Sequence, residues 1–172
     1  MDGGTRHMKS IYIFGLFFGA LFAQSEPQLG CSAYPGTDLV AGKARELCNL
    51  RDRICALGKV QTESIVLTKS MLSDLRTACS QASSPVPIEF SLSEKDADVD
   101  MKPLPDSTDV ILTPKTNIRR HELLICLNSL LTKRARFIWT EIQDKPFLTD
   151  YDRKAFALIT QNNDMQKFDY CR

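Results

Sequence analysis

Apolar positions recur at helical steps in four stretches of the chain. The first begins behind Thr37 and Asp38, both good capping residues, and runs to Leu57. Val40, Ala44, Leu47, Ile54 and Leu57 fall three, four or seven residues apart, while Arg45, Arg51 and Arg53 fall elsewhere, on the surface. Gly58 is expected to take the left-handed conformation that ends such a helix. A second stripe, Ile65, Thr68, Leu72, Leu75 and Cys79, follows after a short link. So short a link predicts antiparallel neighbours, making 38–81 a helical hairpin. The third helix is expected from about Asn117 to Ile142, with Leu123, Leu127, Leu130, Leu131, Phe137, Ile138 and Ile142 on its apolar side and Pro146 beyond its end. A shorter fourth starts at Thr149 and Asp150, turns Ala155, Leu158 and Ile159 inward, and ends near Asn162 and Asn163.

Between the second and third helices the pattern changes. Pro85, Pro87, Pro103, Pro105 and Pro114 exclude a long helix from 82–116. Ile88, Phe90 and Leu92 alternate with polar residues as a half-buried strand would, and Asp109 to Thr113 could pair with it. The acidic stretch from Glu94 to Asp100 reads as a solvated loop. The fold class is therefore mainly α: a disulfide-stapled bundle of about four helices, with a long Pro-rich crossover holding at most two short strands. Residues 38–172 form its single domain, with the hairpin at 38–81, the crossover at 82–116 and helices three and four within 117–169.

The N-terminal residues set the address. Arg6 and Lys9 precede an uncharged apolar run from Ile11 to Ala23, about 13 residues, which suits a signal-peptide core and falls short of a membrane span. Residues 1–23 are read as a signal peptide cut after Ala23, and 24–37 as an N-terminal segment. All six cysteines, Cys31, Cys48, Cys55, Cys79, Cys126 and Cys171, follow that cut. In an exported chain they are best read as three disulfides, for which 15 full pairings exist. Cys48 and Cys55 are about 10.5 Å apart along one helix, too far to bond each other. In a hairpin, Cys79 would lie opposite the start of the first helix and meet Cys31, leaving Cys48 and Cys55 to reach Cys126 and Cys171.

Charge and motifs narrow the chemistry. With 22 Lys and Arg against 21 Asp and Glu, the chain lacks the cationic excess that nucleic-acid binding requires. No CxxC pair stands beside histidines at zinc spacing, and no metal or other cofactor is expected. Asp96, Asp98 and Asp100 resemble the opening of a calcium loop, but Met101 and Ser107 replace its glycine and glutamate. His121 and Glu122 begin like a zinc-protease motif whose second histidine is here Ile125. Cys126 stands on a different face from His121 and is read as oxidised, so no nucleophile pair forms. No phosphate loop, dinucleotide fingerprint or Gly-x-Ser-x-Gly elbow occurs, and no catalytic residue is assigned. Any two carboxylates could still meet in space as a hydrolase site, though nothing singles out a pair. Trp139, beside Phe137 and Ile138, is read as core.

The helix Glu46-Leu-Cys-Asn-Leu-Arg-Asp-Arg-Ile-Cys-Ala-Leu57, followed by Leu75-Arg-Thr-Ala-Cys-Ser-Gln-Ala82, resembles the cysteine-containing helical hairpin of uncharacterised envelope proteins, many of them lipoproteins, from predatory and gliding bacteria. That resemblance covers about a quarter of the chain and implies no activity. The expected function is that of a secreted or periplasmic non-enzymatic binding protein, its partner an unknown protein or anionic molecule. The expected contact surface is the basic side of the third helix: Arg119, Arg120, Lys133, Arg134 and Arg136. One alternative is a structural envelope protein, touching a membrane only through an uncleaved leader or a lipid on Cys31. Another is a helical cytokine-like signalling protein, on fold analogy alone.

Overall fold

The computed structural model describes residues 31, 34, 38–81, 99–162 and 168–171. The leader, the expected strand at 88–92 and the acidic stretch through Asp98 lie outside them. Four helices and three strands follow in the order α1 (Leu39–Gly58), β1 (Ile65–Thr68), α2 (Lys69–Gln81), β2 (Val99–Pro103), β3 (Asp109–Pro114), α3 (Asn117–Ile142) and α4 (Asp150–Gln161). Asp38, Thr116 and Thr149 cap α1, α3 and α4 with side-chain oxygens that accept from Val40, Arg119 and Asp152 N–H.

Helix α3 is the axis of the molecule. Every residue from Glu122 to Thr132 is buried, as expected of a helix enclosed on all sides. Helices α1, α2 and α4 each pack against it, and β3 touches it as well. Both α1 and α2 run opposite to α3. Gly58 lies beside Leu124 at one end of α1, while Asp74 and Cys79 of α2 meet Arg134 and Cys126 in reversed order. The two therefore run the same way on either side of α3 and scarcely touch each other.

That arrangement corrects the expected antiparallel hairpin. Residues 65–68 are not the start of the second helix but a strand, which carries the chain back between two parallel helices. Ile65-Val-Leu-Thr68 is rich in β-branched residues, and its burial alternates, with Ile65 and Leu67 inward. β1 pairs antiparallel with β3, placing Ile65 opposite Leu112 and Leu67 opposite Val110, so all four share one buried face. β2 pairs with the other side of β3, giving the order β1-β3-β2. Part of the stretch read as a crossover is thus a β-hairpin, and the expected strand at 109–113 is the central strand of the three-stranded sheet. Asp100, read as loop, belongs to β2 and pairs with Lys102 at 3.4 Å.

The three disulfides join Cys31 to Cys48, Cys55 to Cys171 and Cys79 to Cys126. The expected Cys31–Cys79 bond fails because α2 parallels α1, so Cys79 lies where α1 ends rather than where it begins. Two further side chains reverse their expected placement. Phe137 and Leu158, read as inward, are 82% and 45% exposed.

Candidate functional site

Two constellations stand out, one closed and one open. The closed one surrounds Arg51, expected on the surface but only 4% exposed. Its Nη1 donates to Asp152 Oδ1 of α4 at 2.9 Å, and its Nη2 lies 3.1 Å from Asp52 Oδ1. Tyr34 donates its hydroxyl to the other Asp152 oxygen at 2.5 Å and packs against Phe147 with ring centroids 5.3 Å apart. The rings of Tyr151 and Phe156 lie 5.5 and 5.3 Å from the guanidinium carbon. Burial pulls the Arg51 pKa down, but Asp52 and Asp152 outweigh it and hold the guanidinium more firmly protonated than usual. Burial, reinforced by the bond to Asp152, pushes the Tyr34 hydroxyl far above its ordinary pKa.

Every member of this network has a partner, and it ties the N-terminal segment, α1 and α4 together. Beside it, Cys31 Sγ, Cys48 Sγ and an Asp52 oxygen lie within 4.8 Å of one another. The two sulfurs are bonded together, so neither offers a thiolate to a metal. For the same reason Cys31 has no thiol left to carry a lipid. The network is built to hold the fold.

The open constellation is a groove. Because α1 and α2 straddle α3 without closing on one another, a cavity of about 460 Å³ remains between them. Lys43, Glu46, Leu47 and Leu50 of α1 form one wall, and Met71, Asp74 and Thr77 of α2 the other. Leu130, Lys133, Arg134, Phe137 and Ile138 of α3 supply the floor and one end. Leu47, Leu50, Leu130 and Ile138 are buried and apolar, whereas the charged side chains stand at the rim. Arg134 crosses to α2, where its Nη2 donates to Asp74 at 2.8 Å. The volume falls within the range of small-molecule sites, and an apolar lining with a few polar groups is their usual composition.

The five basic residues expected to share a surface are divided. Arg119 donates to Glu122 at 3.2 Å near the start of α3. Arg120, next to it, is half-buried. Lys133 and Arg134 lie about 20 Å further along the helix, in the groove. Arg136 is occupied with structure, donating to the carbonyls of Thr160 and Asn162 at the end of α4 at 2.8 and 3.2 Å. His121 is exposed and Cys126 is bonded to Cys79. Trp139 is half-buried and packs against the core.

Sequence reasoning missed the walls: Lys43, Glu46, Leu50, Met71, Asp74 and Thr77. Met71, Asp74 and Thr77 lie on a side of α2 next to the apolar stripe of Leu72, Leu75 and Cys79, and a hairpin that packs α2 on α1 leaves no groove between the two helices. Among the described residues no helix is long and apolar enough to cross a membrane. No protein-family model, curated protein or solved structure matches the chain.

Proposed function

We propose that the chain is an exported, non-enzymatic binding protein and that the groove between α1, α2 and α3 is where it binds. The observation that carries this reading is an open cavity of about 460 Å³ with an apolar floor, a charged rim and the exposed Phe137 at its edge. Three disulfides support an oxidising compartment, where such bonds persist. The signal-peptide reading of residues 1–23 supports the same address. Two members of the expected basic surface, Lys133 and Arg134, remain in the binding site; Arg119, Arg120 and Arg136 do not belong to it.

A neutral, environment-sensitive dye tests the groove. The oxidised protein should bind it saturably at one site. Phe137→Ser and Thr77→Trp, both at exposed positions, should weaken that binding while leaving the thermal transition in place. Dye binding that ignores both substitutions would move the site elsewhere.

A further inference from the structure

We infer that the groove takes a single-chain amphiphile with an anionic head, a medium-chain fatty acid, whose carboxylate is received by Arg134. This inference rests on the groove being the binding site. Its starting point is an unmet donor. Arg134 commits Nη2 to Asp74, but its Nε–H is shielded from solvent and has no acceptor among the described residues. A guanidinium presents its donors as a planar fork, and a carboxylate accepts from Nε and one Nη together. The pair with Asp74 uses one tine only, and both partners are partly exposed, with side-chain exposures of 29% and 57%. A modest turn of Arg134 toward the groove brings the fork to a ligand.

The surroundings favour negative charge and an apolar tail. Lys43, Lys133 and Arg134 face the cavity against Glu46 and Asp74, an excess of one positive charge. Below the rim, Leu50, Leu130 and Ile138 form a greasy floor, and α3 advances about 12 Å between the last two. Phe137, exposed beside that floor, can cover the tail at the mouth.

Calorimetric titration of the oxidised exported chain tests this with decanoate and decyltrimethylammonium, each below its micelle concentration, and with decanol below its solubility limit. Decanoate should bind at one site. From octanoate to decanoate, affinity should rise about fourfold per methylene, as burial of each group predicts. Arg134→Gln should weaken decanoate about tenfold or more through loss of a charge-assisted bond, while leaving decanol unchanged and the circular-dichroism melt intact. Asp74→Asn should strengthen decanoate by releasing Arg134. Decanol and decanoate binding alike, with Arg134→Gln silent, would overturn the anionic head and leave the groove as a binding site. Absence of saturable binding by every amphiphile would overturn the inference, and simultaneous failure of the dye experiment would take the underlying reading with it.

Discussion

Val60 holds φ at +56°, a left-handed conformation that a β-branched side chain rarely adopts. It sits where α1 ends: Gln61 N–H returns to Ala56 O at 2.9 Å and Val60 N–H to Leu57 O at 3.2 Å, the two bonds of a Schellman cap. Gly58, expected to take this conformation, is instead the last helical residue. The cap is thus strained by its side chain. Val60→Gly should raise stability by about 1 kcal/mol, read as a shift in denaturant midpoint at constant slope. Two tyrosines make a second prediction. Burial raises both Tyr34 and Tyr170 far above the ordinary tyrosine pKa, and the hydrogen bond to Asp152 adds to the shift at Tyr34. Above pH of about 10 the unfolded chain sheds these protons while the folded chain keeps them, so the unfolded state is favoured. Stability from both groups is complete below that pH and declines above it, by up to about 2.7 kcal/mol per pH unit with both contributing. Tyr34→Phe and Tyr170→Phe should each flatten the alkaline slope of a denaturation series. Arg51 belongs to the same lesson. Nothing in its spacing distinguishes it from Arg45 and Arg53, because the partner that allows its burial, Asp152, lies 101 residues away.

Three of the four helices could be read from sequence nearly to the residue, because their caps and apolar stripes agree. Asp38, Thr116 and Thr149 stand where the expected boundaries place them. The failure at 65–68 has a definite cause. Ile65, Thr68, Leu72 and Leu75 satisfy a helical step, yet Ile65 and Leu67 also satisfy the strand step of two, and over four residues periodicity cannot separate them. Thr68 settles the boundary in the fold: its hydroxyl accepts from Met71 N–H at 3.0 Å, making it the cap of α2 rather than an interior member. Thr68→Ala should therefore cost about 1 kcal/mol, where an exposed helix-interior threonine would lose nothing by the change. Reading Thr68 correctly would have shortened α2, lengthened the return link and turned the hairpin into two parallel helices. The candidate site was hidden by that one misassignment, since a groove between α1 and α2 cannot exist if they pack on each other. Phe137 has a related explanation: an aromatic in an apolar stripe reads as core, whereas in the fold it stands exposed at the gap that α1 and α2 leave between them.

At the scale of the molecule, the number of disulfides was legible and their pairing was not. Pairing depends on the relative direction of α1 and α2, which no local pattern records. The bonds that do form have an unusual disposition. Cys31 joins Cys48, and Cys171 joins Cys55, so the N-terminal and C-terminal segments are both fastened to α1, seven residues apart. Pulled by its two ends, the oxidised protein would carry the load through residues 48–55 alone, while everything else hangs in covalent loops beside that line. The stretch can lengthen from about 10.5 Å as helix to about 25 Å fully extended. A force experiment should therefore record a step of only about 15 Å beyond the flanking segments, centred on the helix turn that holds Arg51. With the bonds reduced, the same pull should draw out residues 31 to 171, to roughly 500 Å. A steplike extension of that larger size under oxidising conditions would contradict the pairing. In mechanical terms, two of the three bonds make one stretch of α1 a short fuse, and of the groove's lining only Leu50 lies on it.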